Sequence, residues 1–214
     1  MAKAYVFDFD GTLVDSMPTW SKKVLSVLDK CGIKYSDNIL EILTPLGDIG
    51  SARYFKEHFG VTMSDQEMFA IMDEYALPRY RDEIPIKDGV KEYLTLLKNS
   101  GAKLCVLTAS PHKMLDPCLK RNGIYDIFDN VWSCDDFFLT KADIPLYGKV
   151  ADALGVRVAD CVFFDDNIGA VTTAKKAGMT TVAVYDKSAE TFTDKIKAVA
   201  DYYIKSFTEL NKPI

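Results

Sequence analysis

The sequence predicts an α/β protein: a parallel sheet whose strands are joined by helices, with a block of helices inserted after the first strand. Three observations carry this. A short apolar run, Tyr5-Val6-Phe7, ends abruptly in Asp8-Phe9-Asp10-Gly11 near the start of the chain. From about Met17 to Ala76 the apolar residues recur with a helical period and form no convincing strand. From Ile84-Pro85 onward, short β-prone runs alternate with amphipathic stretches, the pattern of parallel strands joined by right-handed crossovers.

Each element follows from local pattern. In the inserted block, Trp20, Val24, Leu25, Val27 and Leu28 mark one helix, with Cys31-Gly32 as its stop. Ile39, Leu40, Ile42 and Leu43 mark a short second helix, and Arg53 to Phe59 a third, ended by Gly60. Ser64 followed by Glu67 reads as a capping box opening a fourth helix that runs through Tyr75. Beyond it, a helix over Gly89–Lys98 leads through Ser100-Gly101 to a strand at Lys103–Leu107. Helix Met114–Arg121, strand Val131–Ser133, helix Pro145–Leu154, strand Cys161–Phe164, helix Ala170–Ala177 and strand Thr180–Val184 follow. Asp194–Val199 and Tyr202–Ile204 close the chain. The expected division is a core of residues 1–15 and 86–214 and a helical domain of residues 16–85. Linkers near Asp15–Pro18 and Glu83–Lys87 would act as a hinge pair.

Composition narrows the functional classes. The chain has 214 residues, with 48% hydrophobic and 27% charged, ordinary values for a globular protein. Its net charge of −5 shows no footprint for nucleic acid or an anionic membrane. A phosphorylated substrate must then be met by a local positive centre. No apolar stretch approaches a membrane span. The start of the chain lacks a signal-peptide pattern, so a cytoplasmic location is expected. Cys31, Cys105, Cys118, Cys134 and Cys161 are scattered and lack metal-site spacing, so they read as reduced thiols. The balanced acidic surface suits a monomer.

Ligands of such sheets bind beyond the carboxyl ends of the strands, and four of those ends carry chemistry. Asp8 and Asp10 straddle the end of the first strand, where the Gly11 turn lets two carboxylates converge. Carboxylates that close repel unless a cation or proton sits between them, and a carboxylate pair with a substrate phosphate is a usual setting for Mg²⁺. Strand Lys103–Leu107 ends in Thr108-Ala109-Ser110, a hydroxyl with free backbone N–H groups suited to a phosphoryl oxygen. Strand Cys161–Phe164 ends in Asp165-Asp166-Asn167, adjacent carboxylates that need a counter-charge. Lys141, ahead of the Pro145 helix, is the candidate to supply it.

Taken together and in this order, the segments resemble the haloacid dehalogenase-like hydrolase superfamily. DFDGT resembles its first motif, VLTAS its second, TKADIPLYGKVADALGV with Lys141 its third, and FFDDNIGAVTTAKKAGM its fourth. The resemblance implies a Rossmann-like core. The helical block is similar to the small C1-type cap of β-phosphoglucomutase- and phosphoglycolate phosphatase-like proteins. Departures exist: Ala142 follows Lys141 where Pro is usual, Asp165 stands where Gly or Glu is common, and Ala170 replaces a further Asp.

The resemblance implies a phosphatase. Asp8 is the nucleophile that forms an aspartyl-phosphate, and Asp10 the acid that becomes the base for hydrolysis. Mg²⁺ would be held by Asp8, the Asp10 backbone carbonyl and Asp166, with Asp165 as second acidic ligand. Gly11, Thr108, Ala109, Ser110 and Lys141 would surround the phosphoryl group. Arg53, in a G-x-x-R segment, is similar to a substrate residue of sugar-phosphate members. Sugar mutases carry a Lys just before that Gly, where this chain has Ile49. His112 would line the entrance, His58 lie on the cap surface and Trp20 pack. The substrate class is a small phosphorylated metabolite. The alternatives are a phosphomutase using the same Asp8 and a non-catalytic module that binds a phosphometabolite. Asp10 argues against carbon–halogen hydrolysis and against phosphonate cleavage, which would also need a Schiff-base lysine such as Lys22, Lys23 or Lys56.

Overall fold

The computed structural model describes residues 3–214, apart from the side chain of Pro45. Contacts divide the chain into two units: the segment up to Asp15 together with Ile84–Ile214, and Ser16–Glu83. In the first unit, strands β1 (Ala4–Phe7), β2 (Lys103–Thr108), β3 (Asn130–Ser133), β4 (Cys161–Asp165), β5 (Thr180–Val184) and β6 (Tyr202–Ile204) form one parallel sheet. Its order is β3-β2-β1-β4-β5-β6. The chain lays β2 and β3 on one side of β1, then returns to place β4 on the other. That reversal puts a crevice at the carboxyl ends of β1 and β4, where open α/β sheets bind ligands.

Both faces of the sheet are covered, which is why β1 is buried throughout rather than alternating. Ala4, Val6, Cys105, Leu107, Cys161 and Phe163 share a core with α7 (Ile144–Leu154) and α8 (Ile168–Ala177). Around Phe7 an aromatic cluster forms: Phe7 stacks on Phe164 with centroids 4.7 Å apart, and Phe164 on Phe207 at 5.8 Å. Tyr93 of α5 (Val90–Asn99) joins this cluster.

The second unit holds α1 (Met17–Lys30), α2 (Ile39–Leu43), α3 (Gly47–Phe59) and α4 (Asp65–Asp82) around Val24, Val27, Leu28, Leu43, Phe55, Met68 and Met72. The expected capping box is present: Glu67 N–H donates to Ser64 Oγ at 3.2 Å, and Ser64 N–H donates to Glu67 Oε2 at 2.8 Å. Two helices outrun the sequence expectation. α3 begins at Gly47 rather than Arg53. Two glycines conceal a first turn that is held by the buried Ser51 and Ala52. α4 runs past Tyr75 to Asp82 although Pro78 lies inside it, because Ala76 and Tyr80 are buried on either side of the missing hydrogen bond. In the first unit, α5, α7 and α6 (His112–Arg121) start within two residues of their expected positions, an ordinary margin for helix ends.

The two linkers meet within the first unit. Lys87 N–H donates to Leu13 O at 2.9 Å, Asp15 N–H donates to Pro85 O at 3.0 Å, and Val14 forms an antiparallel bridge with Ile86. All five cysteines are free thiols. Among the described residues no helix is long and apolar enough to cross a membrane.

Candidate active site

β1 and β4 run in register, Phe7 beside Phe164, so the next residue of each strand, Asp8 and Asp165, emerges at the same edge. Asp8 N–H donates to Phe164 O at 2.9 Å and fixes the start of the loop. Asp8, Asp165 and Asp166 are all buried, and each offers a carboxylate oxygen within 4.8 Å of the others.

Lys141 reaches into this cluster from the segment before α7. Its Nζ lies 2.5 Å from Asp8 Oδ1 and 2.8 Å from Asp165 Oδ2. The Tyr147 hydroxyl holds the Lys141 carbonyl at 2.8 Å, so the first turns of α7 aim the lysine. Asp165 is fixed on its other side by Asn167 N–H, 2.7 Å from Oδ1. Asn167 in turn caps α8 through Gly169 N–H at 2.8 Å. Asp166 accepts a hydrogen bond from Thr12 Oγ1 at 3.1 Å.

Gly11 is required where it stands. Its φ is +72°, and a Cβ there would lie 2.6 Å from Asp166 Oδ2. Any side chain would therefore collide with that carboxylate as well as strain the turn. At the end of β2, Ser110 N–H donates to Thr108 Oγ1 at 3.1 Å, and Ser110 Oγ donates to the Asp10 carboxylate. The second motif is thereby tied directly to the side chain of Asp10.

The electrostatics follow from three carboxylates and one ammonium group in a buried space. Burial and the Asp165 charge raise the Asp8 pKa to about 7, against the pull of Lys141. Burial, Asp165, Asp8 and Asp186 hold Asp166 well above the usual carboxylate range, with Lys87 pulling the other way. Burial alone would lower the Lys141 pKa, but Asp165 and Asp8 outweigh it and keep the ammonium charged. The cluster therefore carries an excess of negative potential that a further cation would relieve. A small hard cation suits an all-carboxylate donor set of this kind.

Ala109 is exposed beside Thr108, and Arg53 is an exposed residue of α3 in the other unit. His112 Nδ1 lies 2.8 Å from Asp116 and Nε2 3.0 Å from Asp136, so its ring links the start of α6 to the segment after β3. Those two carboxylates raise its pKa. His58 stacks on Tyr54 with centroids 4.0 Å apart and is exposed, and Trp20 packs against the core of the helical unit. Two residues escaped the sequence reading. Tyr147 sits at a core position of α7, where nothing but its hydroxyl marks it. Lys87 lies in a linker, where a lysine reads as solvated.

A family model described as haloacid dehalogenase-like hydrolase matches residues 5–184. Hexitol phosphatase B of Escherichia coli (strain K12) is 29% identical over 210 residues, 97% of this chain and 93% of that protein. Among solved structures, CbbY from Rhodobacter sphaeroides in complex with phosphate superposes with a TM-score of 0.83 at 22% identity, covering 99% of this chain and 97% of the other. β-Phosphoglucomutase from Clostridium difficile does so with a TM-score of 0.81 at 21% identity, covering 99% and 94%. The chain therefore belongs to the haloacid dehalogenase-like hydrolase family.

Proposed function

We propose that the chain is a Mg²⁺-dependent phosphatase that hydrolyses a phosphomonoester of a small metabolite, a sugar or sugar-alcohol phosphate, through an aspartyl-phosphate on Asp8. The observation that carries this reading is the convergence of Asp8, Asp165 and Asp166 on one buried point, with Lys141 bridging two of them. The name of hexitol phosphatase B supports the substrate class.

In this reading one oxygen of the Asp8 carboxylate attacks phosphorus while the ester oxygen leaves. Asp10 protonates that oxygen, then takes a proton from the water that hydrolyses the aspartyl-phosphate. Ser110, hydrogen-bonded to the Asp10 carboxylate, orients it between the two steps. Lys141 and the Thr108 hydroxyl hold phosphoryl oxygens, with Gly11, Ala109 and Ser110 beside them. Asp8, Asp166 and the Asp10 carbonyl would hold Mg²⁺, with Asp165 adjacent, and the ion would neutralise charge so that anion can approach anion. Residues 16–85 serve as the cap that selects the leaving group, Arg53 contributing, while residues 1–15 and 86–214 form the core. The enzyme works as a cytoplasmic monomer.

The test is phosphate release from a panel of phosphorylated metabolites, with and without Mg²⁺, by the wild type, Asp8→Asn and Asp10→Asn. Mg²⁺-dependent release that is lost in Asp8→Asn is expected. Conversion of a sugar phosphate to its isomer without release would replace the phosphatase reading by the mutase one.

A further inference from the structure

The return linker carries a lysine that no step above uses. Lys87 Nζ donates to three acceptors: the Gly11 carbonyl, Tyr185 O at 2.9 Å and Asp186 Oδ2 at 2.8 Å. An ammonium group has three protons, so its donors are fully assigned. Asp186 is itself buried and fixed, its Oδ1 accepting from Ser188 N–H at 2.9 Å and Ser188 Oγ at 2.6 Å. The Lys87 main chain is also tied, through N–H to Leu13 O at 2.9 Å. One residue thus joins the loop after β1, the return linker and the end of β5.

The acceptor matters most. Gly11 follows Asp10, sits at positive φ and leaves no room for a side chain against Asp166. Its carbonyl fixes the peptide plane of that turn, and with it how the Asp8–Gly11 loop faces the Asp166 carboxylate. The cluster is also asymmetric. Asp8 and Asp165 share the Lys141 ammonium, whereas Asp166 takes a hydroxyl hydrogen bond from Thr12. Lys87 lies on that side, its own charge paired with Asp186, so what it offers the loop is its bond to the Gly11 carbonyl.

We infer that Lys87, held by Asp186, is a positioning residue. It fixes the Gly11 carbonyl, and so the Asp8–Gly11 loop against Asp166, and thereby sets how tightly the carboxylate cluster takes up Mg²⁺. This rests on the Mg²⁺ reading above. Partners that orient metal ligands in this way are worth about 10–100-fold in affinity or activity.

The experiment is calorimetric titration of Mg²⁺ into the substrate-free full chain. It compares wild type, Lys87→Met, Asp186→Asn and Lys87→Arg, with melting curves recorded at each Mg²⁺ concentration. Lys87→Met is expected to weaken Mg²⁺ binding about 10–100-fold. Asp186→Asn should weaken it in the same direction by less, and Lys87→Arg should recover most of the loss. A purely structural role would lower Tm equally with and without Mg²⁺ and leave the affinity alone. Lys87→Met binding Mg²⁺ like the wild type overturns the inference. If Lys87→Met does not fold, wild-type affinity in Asp186→Asn overturns it instead. Wild type that takes up no Mg²⁺ brings down the metal reading and this inference with it, and the wild-type titration alone tells that failure from the other.

Discussion

Two lysines held by carboxylates, one in each unit, show what separates architecture from chemistry. Lys23 of α1 is 2% exposed, and its Nζ lies 2.7 Å from Asp48 Oδ2. That is one cation for one anion, closed within a helical unit. Lys141 meets two carboxylates at 2.5 and 2.8 Å, with a third beside them. The first arrangement balances one charge with one, although the buried Asp48 Oδ1 is left without a hydrogen-bond partner. The second sets three carboxylates against one ammonium group, and burial together with the Asp165 charge raises the Asp8 pKa to about 7. A lysine bound to carboxylate is common to both, so the count of carboxylates around it is the informative quantity.

The sharpest way to break the comparison is to remove charge on the Lys141 side. Asp8→Asn should lower phosphate release by about 10⁴-fold or more, as loss of a nucleophile does. Asp10→Asn should cost about 10²–10⁴-fold, the usual contribution of an acid/base. Both are read by steady-state release at saturating Mg²⁺, with circular dichroism to show the fold intact. Lys141→Met should follow at about 10²–10³-fold in kcat, the cost of one preorganised electrostatic donor. Thr108→Val, which deletes one hydroxyl near charged oxygens, should cost about 10–100-fold in kcat/KM. On the other side, Lys23→Met should leave turnover per folded molecule unchanged and lower stability by about 1–2 kcal/mol, since Asp48 is partly exposed. Differential scanning calorimetry checks this. A large loss of turnover in Lys23→Met would erase the distinction between the two lysines.

A pH series sharpens it further. Burial raises Asp8 from its ordinary value to about 7 in the fold. Between about pH 4 and pH 7 the folded chain therefore holds a proton that the unfolded chain has released. Without Mg²⁺, that contribution to stability is present at the acid end and is lost as pH rises through the window. Denaturant melts of wild type against Asp8→Asn should show wild type losing ground as pH climbs. Added Mg²⁺ competes with that proton, so its stabilising effect should grow over the same interval. A stability difference flat with pH would mean that Asp8 is ionised throughout.

Much of this was legible in the chain because short-range rules apply to it. The β1 run ending in Asp8-Phe9-Asp10-Gly11 showed both a strand and a site, since register and burial put residue 8 at the sheet edge. Lys141 was legible only as a partner for Asp165-Asp166, through charge balance. Tyr147 was not, because a tyrosine at a core position of an amphipathic helix looks like packing until its hydroxyl is seen on the Lys141 carbonyl. Lys87 was hidden for the opposite reason. Its three acceptors come from Gly11, Tyr185 and Asp186, remote in sequence and brought together only by the sheet. In the helical unit, the first turn of α3 was masked by Gly47 and Gly50, whose weak propensity packing overrode. α4 likewise continues past Tyr75 and through Pro78, because Tyr80 is buried beyond it.

The bridge between Val14 and Ile86 has an engineering consequence. Because Asp15 N–H already reaches Pro85 O at 3.0 Å, the α/β unit contains its own hairpin, and Ser16–Glu83 occupies the place of that hairpin's turn. A tight turn of about two residues, such as Asn-Gly, is the ordinary closure for antiparallel neighbours at this spacing. Replacing Ser16–Glu83 by such a turn asks no strand of the sheet to change its register. The helical unit is thus a cassette, open to removal or exchange while the sheet and its carboxylates stay as they are.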